Sequence, residues 1–519
     1  MAINPTLQAL QCACTRVMRM QTEETSASRS RASRIVYACI GATWALALAC
    51  AVAASCSAQT APATYSRPWV PTKAPLADDV RRLPMDEITM DPNATYNLGE
   101  IIDVAEEHNP LTRVAWRRAK AQAAAVGVAR SDLFPTLTAE VLSETEQIPP
   151  LLYNTFVTQD IGLYLPSLSL SYTILDFNER LDKLRAAHAK LLAANYGFNN
   201  THLQIIYQVT LAYYRLQDAN GQLEAAKMDL EDAKALQDAA EARLANGLET
   251  MPNVLLTRSQ TAEAQYDIAK AEDAQRVAFG DMATAMAAPP NVYFKVEDFN
   301  DIKVPAALDE PVEQDIDRAL QQRPDLLQRV AQVRAARDEV KRSRAAFYPK
   351  ITFDGKDGNV RAWGHQLGYP STYGGGFFNG GNVYDAKLSL KWTIFSGWQR
   401  HSELAQAKQE EAQEEADVNE TRHQIADQVW QSYSDLQAAF SERQAALAFV
   451  TAASESYSAD LDSYKSGVQN ILDVLNTSRT LAHARSSEVT TRAQVLGKMA
   501  QLAFRTGDLL TTNGAGTRP

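Results

Sequence analysis

The chain has 519 residues, with 51 Lys and Arg against 62 Asp and Glu and a formal net charge of −11, a balance that argues against a nucleic-acid backbone or an anionic lipid surface as the main partner. All five cysteines (Cys12, Cys14, Cys39, Cys50 and Cys56) fall in the first 56 residues, so the rest of the chain can build neither a disulfide framework nor a thiolate metal site. Length alone suggests about three domains, an expectation that internal repetition lowers.

At the N-terminus, Arg29, Arg31 and Arg34 precede an uncharged, mostly apolar run from Ile35 to Ser55, as in a secretory signal peptide. The stretch before the run is long for such a signal, which makes Met18 or Met20 alternative starts. The run is also about long enough to span a bilayer as a retained anchor. Two cleavage readings stay open. "VAASC" resembles a bacterial lipoprotein signal, which would make Cys56 the lipid-bearing first residue, although Ala53 stands where Leu is expected; cleavage after Ala58 would leave Gln59 first. Residues 1–56 are read as the signal segment and 57–95 as an extended N-terminal segment.

Beyond it the chain repeats itself. "NPLTRVAWRRAKAQAAAVGVARSDLFP" (109–135) corresponds to "RPDLLQRVAQVRAARDEVKRSRAAFYP" (323–349) at an offset of 214. "YTILDFNER" (172–180) corresponds to "WTIFSGWQR" (392–400), and "NGLETMPNVLLT" (246–257) to "SGVQNILDVLNT" (466–477), at an offset of 220. Two long copies make a duplicated unit and not a solenoid. The repeats are taken as 96–289 and 312–510, joined by a connector, 290–311, and followed by a flexible C-terminus, 511–519.

Each repeat opens on a helix signal with Pro110 or Pro324 near its first position, where a missing N–H costs nothing. The helix stops by Phe134-Pro135 or Tyr348-Pro349, because the residue before a proline is pushed out of the α region. Two strands follow. "TLTAEV" and "KITFDG" alternate, and the second strands alternate more cleanly. Leu168, Leu170, Tyr172 and Ile174 interleave with Ser167, Ser169, Ser171 and Thr173; Tyr384, Ala386, Leu388, Leu390, Trp392 and Ile394 interleave with Lys387, Ser389, Lys391 and Thr393. Each strand thus has one apolar and one polar face. The segment 354–383, rich in Gly and aromatic residues, reads as a loop between two strands.

A helix then starts abruptly, and Asp176 with Glu179, like Ser396 with Gln399, has the spacing of a capping box. From Trp398 to Lys465 there is neither Gly nor Pro, and from Asn178 to Ala245 no Pro and only Gly197 and Gly221. At about 1.5 Å per residue each helix would reach roughly 100 Å. Ala, Gln and Glu occupy most of both circumferences, so one face must meet water even after packing. The helices end at Gly247 and Gly467, and returning helices begin near Asn253 and Asp473 and run to about Met286 and Leu509, an αα-hairpin in each half. The connector carries one short strand.

Four strands cannot close a barrel alone. Their alternation suits a membrane barrel with Leu168, Leu170, Tyr172, Leu388, Leu390 and Trp392 toward lipid and Ser, Thr and Lys toward a wet lumen, over about 9–11 residues per span. Tyr172 and Trp392 lie at the helix end of their strands, where an aromatic belt would sit. A half-buried soluble sheet alternates in the same way.

From about Tyr96 to Leu509 the chain resembles the TolC family of outer-membrane factors, on the duplication, the paired strand-to-helix junctions and the tip motifs "NGLETMPNVL" and "SGVQNILDVL". The resemblance implies a mainly α fold with a small β part, a tandem-duplicated protomer of long α-hairpins plus four strands. In a homotrimer the strands form one transmembrane β-barrel, continued by a periplasmic α-helical barrel. It further implies a passive exit duct of a tripartite efflux or type I secretion system in the Gram-negative outer membrane, joined through a periplasmic adaptor to an inner-membrane pump, with no cofactor. By position, Tyr464 resembles the gate tyrosine and Asp473 the first of an aspartate pair ringing the entrance, which in three copies would favour cations. Asn476 stands where the second aspartate is expected, Gln469 where a gate arginine is, and Pro252-Asn253 where a Thr-Asp pair is. Gly247, Leu248, Gly467 and Val468 resemble the places where adaptor hairpins dock. The same glycines read as helix C-caps, and Asp473 reads equally as a solvated helix N-cap.

The rival reading is a membrane-tethered periplasmic coiled-coil scaffold, held by a lipid on Cys56 or by an uncleaved anchor. It explains the helices but not two pairs of alternating strands. An enzyme has little support: the seven histidines are scattered with no two three or four apart, so no helical metal pair exists, and there is no G-x-S-x-G or Walker sequence.

Overall fold

The structure, a computed structural model, describes residues 88, 90–148, 151–152, 155–156, 158–298, 304–305, 311–367 and 377–509. The signal-like segment with Cys56, most of residues 57–95 and the C-terminus from 510 lie outside the described residues. Each repeat opens with two helices, where the sequence pattern indicates one. In the first, α1 (Leu98–His108) is set by a full capping box: Asn97 Oδ1 accepts the Glu100 N–H at 2.9 Å and the Glu100 carboxylate accepts the Asn97 N–H at 3.0 Å. Asn109 in extended backbone breaks the helix, and α2 (Pro110–Ser131) restarts on its proline. Then come β2 (Thr136–Ile148), β5 (Thr158–Leu175), α3 (Glu179–Ala245) and α4 (Met251–Ala285). The second repeat has α5 (Val312–Gln322), α6 (Pro324–Ala345), β7 (Lys350–Leu367), β8 (Phe377–Lys391), α7 (Gln399–Lys465) and α8 (Ile471–Thr506). Short strands β3 (Leu151–Leu152) and β4 (Thr155–Phe156) pair with each other, and β1 (Thr95–Tyr96) pairs in parallel with β6 (Lys295–Val296) of the connector.

Helices α3 and α7 are each 67 residues long, roughly 100 Å. No helix among the described residues is long and apolar enough to cross a membrane. Near the strands α3 packs between α2 and α6, and α6 packs on α7; toward the far end the hairpins α3–α4 and α7–α8 lie side by side with α3 against α8. The largest apolar cluster gathers Ile101, Ile205, Val209, Tyr213, Leu216, Met282 and Met286, each contributing about 1.5–3 kcal/mol by leaving water.

The four long strands form one antiparallel sheet in the order β2-β5-β7-β8. They extend well into the segment read as a loop, reaching 13, 18, 18 and 15 residues, more than a bilayer requires. Apart from one irregularity between Thr173 and Leu175, the register is constant and gives each face a definite membership. In the half nearest the helices one face carries Leu137, Ala139, Val141, Leu168, Leu170, Tyr172, Phe353, Leu388 and Leu390, and the other carries Thr136, Thr138, Ser169, Ser171, Thr352, Asp354, Lys387 and Ser389. Beyond Pro166 the faces become mixed: Leu142, Leu163, Leu165 and Val360 join Glu144 and Glu146 on the polar face, and Ser143, Asn359, Arg361 and Asn382 join Tyr164, Trp363 and Phe378 on the apolar one. Simple alternation therefore holds for only about half of the strand length, which at 18 residues reaches about 60 Å. Trp392 and Ile394 lie past the end of β8; the Trp392 indole donates to the Phe347 carbonyl at 3.1 Å.

The junctions lack the expected capping boxes. Phe177 and Asn178 (φ 51° and 73°) and Gly397 and Trp398 (φ 60° and 66°) take left-handed backbone, and the residues preceding α3 and α7 make no side-chain cap. This tight reversal moves the box partners out of register. The Asp176 carboxylate accepts the N–H of Arg180 at 3.0 Å, and Glu179 pairs with Lys350 at 2.6 Å. Ser396 Oγ accepts from Arg400 at 3.2 Å, and Gln399 donates to Glu403 at 2.8 Å. Left-handed backbone costs a non-glycine residue about 1–2 kcal/mol. Contacts at equivalent places offset it: Arg180 reaches Asp176 at 2.7 Å and the Asp132 carbonyl at 3.0 Å, and Arg400 reaches the Ala346 carbonyl at 3.3 Å and the Thr393 carbonyl.

Candidate functional site: the paired hairpin tips

The tips at the far ends of the hairpins share one construction. Gly247 (φ 72°) and Gly467 (φ 77°) follow the last helical turns in left-handed backbone. Their N–H groups donate to the Leu244 and Tyr464 carbonyls at 2.9 and 3.0 Å, and those of Leu248 and Val468 to Arg243 and Ser463 at 2.9 and 3.0 Å. These are the paired bonds of a Schellman ending, which favours glycine because a Cβ is strained there. Leu248 and Val468 are left 66% and 82% exposed. Asn470, in extended backbone, is the N-cap of α8, and its side chain accepts the Leu472 N–H at 3.1 Å. Asp473 is therefore not the cap. It sits at the third helical position, its own N–H already bonded to the Asn470 carbonyl, where its charge complements the helix N-terminus.

Tyr464, on the last turn of α7, is 1% exposed. Its hydroxyl donates to Glu249 Oε2 at 2.9 Å, and the Arg243 guanidinium lies 4.8 Å over its ring and donates to its carbonyl at 2.9 Å. Glu249 Oε1 in turn accepts from Asn253 Nδ2 at 2.7 Å and from the Thr250 N–H at 2.9 Å. The first tip thus clasps the end of the second hairpin from two sides. An apolar cluster of Leu236, Tyr457, Ile471, Val474 and Leu481 packs with it. Burial, reinforced by the hydrogen bond to Glu249 and its charge and opposed by Arg243, pushes the Tyr464 hydroxyl up to about 12. Burial alone would raise Glu249, but hydrogen bonds from Asn253, the Thr250 N–H and Tyr464, with the Arg243 charge, outweigh it and hold the carboxyl below its usual range. At neutral pH the pair is a phenol donating to a carboxylate, a charge-assisted bond.

The second tip repeats the Glu249–Asn253 bond with the groups exchanged: Gln469 Nε2 donates to Asp473 Oδ2 at 3.2 Å. Of the residues singled out in the sequence, Tyr464 and Asn253 meet through Glu249, Gln469 meets Asp473, and Asn476 stands exposed about a turn further along α8. Arg243 and Glu249 were missed. Glu249 lies inside the tip motif, but its partner Tyr464 is 215 residues away, a distance that no local pattern spans.

The family profile described as outer membrane efflux protein matches residues 101–288 and again 316–508. Protein CyaE of Bordetella pertussis is 26% identical over 416 residues, covering 79% of this chain and 84% of that protein. The probable outer membrane lipoprotein SilC of Salmonella typhimurium is 24% identical over 416 residues, 76% of this chain and 80% of that one. Among solved structures, the outer-membrane channel OprN matches with a TM-score of 0.67 at 17% identity, covering 79% of this chain and 89% of that chain, a likeness of fold.

Proposed function

The chain belongs to the outer membrane efflux protein family, and from that premise we propose that it is the passive outer-membrane exit duct of a tripartite efflux or type I secretion system. It works as a homotrimer, joined through a periplasmic adaptor to an inner-membrane pump that supplies the energy. The observation that carries this reading is an open-edged amphipathic sheet running directly into two 67-residue helices. With β2 and β8 at its edges, the sheet is completed by further copies, and three copies give a barrel of about twelve strands, wide enough for a wet lumen. Leu168, Leu170, Tyr172, Leu388 and Leu390 face lipid, with Trp392 at the interface. The Ser, Thr and Lys face lines the water path.

The tips form the periplasmic entrance. The Tyr464–Glu249–Arg243 clasp keeps it closed, because opening must separate a buried phenol from a carboxylate and a cation. Asp473 and Asn476 line the mouth, Gly247, Leu248, Gly467 and Val468 receive the adaptor, and Cys56 carries the lipid, a reading supported by the lipoprotein relative. Planar-bilayer recording of the detergent-purified protein beside Asp473→Ala tests this. A small cation-preferring conductance whose preference weakens in the variant is expected. A folded, membrane-extracted protein that stays silent even when Tyr464→Phe loosens the clasp would leave the tethered scaffold as the better reading.

A further inference from the structure

The sheet face that carries Leu168 and Leu390 changes character beyond Pro166, where two of its rows are built around glycines. In one row Gly162 of β5 lies opposite Trp363 of β7, which lies opposite Phe378 of β8. The Trp363 indole is folded over Gly162 so closely that a Cβ there would fall inside the ring, an approach that a strand glycine permits. Trp363 is still 39% exposed, and Phe378 beside it is 73% exposed. In the next row toward the helices Tyr164 lies opposite Arg361, which lies opposite Gly380. A Cβ at Gly380 would stand 3.3 Å from Arg361 Cγ, so the arginine stem runs alongside it. Tyr164 and Arg361 are both exposed. One row further down, Asn359 Nδ2 donates to Asn382 Oδ1 at 2.9 Å. Three rings, a guanidinium and a pair of amides thus share one patch.

Height decides what meets this patch. Phe378 is fourteen residues from Trp392 along the chain, roughly 46 Å of strand. At a strand tilt of about 35–45° that is a rise of roughly 33–38 Å, against about 25 Å for the apolar band of an outer-membrane barrel. With Trp392 at one interface, the patch stands outside the other. Mixed faces follow there, because a strand that has left hydrocarbon meets polar surroundings on both sides. We propose that the patch binds the saccharide headgroup of a phosphorylated glycolipid in the outer leaflet. This rests on the barrel reading above and names a lipid partner for its outer rim, directly continuous with the lipid-facing leucines. The exposed rings offer apolar faces to a pyranose ring, and aromatic side chains with a polar handle suit such a half-wet layer. The Asn359–Asn382 pair suits sugar hydroxyls, and the Arg361 guanidinium takes a phosphate through a fork of two N–H bonds. Asp357 and Asp160 lie two rows to either side of Arg361 on the same face, so the charge within the patch is positive. An ordinary phospholipid supplies the phosphate but no ring to stack.

Thermal unfolding of the full-length, detergent-purified protein tests this, because a ligand that binds only the folded state raises the midpoint as its concentration rises. Two probes are titrated side by side, rough-type lipopolysaccharide and phosphatidylglycerol. The lipopolysaccharide is expected to raise the midpoint well above any rise with phosphatidylglycerol. That excess should vanish in Trp363→Ala, shrink in Arg361→Gln and survive in Trp363→Tyr, which keeps a ring at the site. Should Trp363→Ala fail to fold, Phe378→Ser takes its place, since that side chain is mostly in solvent. Equal rises with the two lipids would mean a plain anionic or acyl-chain contact and overturn the proposal. An excess that is the same in every variant would overturn it too. No response to lipopolysaccharide, from a protein that still conducts in planar bilayers, would remove the patch and leave the duct standing. Silence in both measurements would remove both.

Discussion

Helices α3 and α7 have the same length and the same place in their repeats, yet they differ as a core helix differs from a surface one. Leu203 of α3 is 2% exposed, and its counterpart His423 is exposed; Ala189 and Ala193 are buried, and their counterparts Gln409 and Gln413 are exposed. The backbone design was duplicated, while the side chains follow what lies beside each copy. The tips differ in the same way. Tyr464 is clasped by the first hairpin, whereas its counterpart on α3 is Leu244, which has no hydroxyl to offer. Symmetry of backbone thus coexists with a one-sided polar lock.

The largest effect expected from this asymmetry is in the core. Leu203→Ala should cost about 2–5 kcal/mol through lost burial and a residual cavity, read by chemical unfolding of the detergent-solubilised protein, while His423→Ala should stay within about 0.5 kcal/mol. Equal losses at the two positions would erase the distinction between the helices. Next comes the clasp. Tyr464→Phe removes a hydrogen bond to a charged acceptor, an effect of about 1.5–3 kcal/mol when fully desolvated and toward the lower end here, since Glu249 is partly hydrated. Single-channel recording should show a larger or more frequent open state, and an unchanged record would mean that the clasp does not limit opening.

The same pair sets a pH dependence of definite sign. Glu249 is depressed in the closed tip, so its contribution is complete above the ordinary carboxyl range, about 4.3, and is lost as pH falls through the lowered value. Tyr464 is raised to about 12, so its contribution is complete below its ordinary value of about 10 and is lost as pH rises through the raised one. Conductance should be flat between these limits and increase beyond both. Glu249→Gln should abolish the acid limb. The smallest effect concerns the turns: Gly247→Ala and Gly467→Ala force a side chain into left-handed backbone, about 1–2 kcal/mol each. The space around both admits a Cβ, so the two losses should be similar. A much larger loss at one tip would show that the glycines differ in role as well as in place.

Much of the architecture was legible in the chain because its signals are local. Pro110 and Pro324 mark helix starts, Gly247 and Gly467 mark helix ends, and the stretches free of proline fix the long helices to within a residue or two. The junctions are less legible: the spacing at Asp176 and Ser396 fits a capping box, but two consecutive left-handed residues intervene, a conformation that Phe177 and Trp398 do not advertise. The strands run further than alternation suggests because both faces mix polar and apolar residues beyond Pro166, so the periodic signal fades while the hydrogen-bonded ladder continues.

By itself the sequence determined the duplication, the order of the long strands and long helices and the position of both tips, since repeats, prolines and glycines act through the backbone within a few residues. Tertiary structure alone decided that Arg243 and Glu249 close around Tyr464, and that α7 is left open where α3 is covered. Both depend on packing between segments distant in sequence, 215 residues apart for Glu249 and Tyr464, where burial and charge are set by neighbours that no local pattern names.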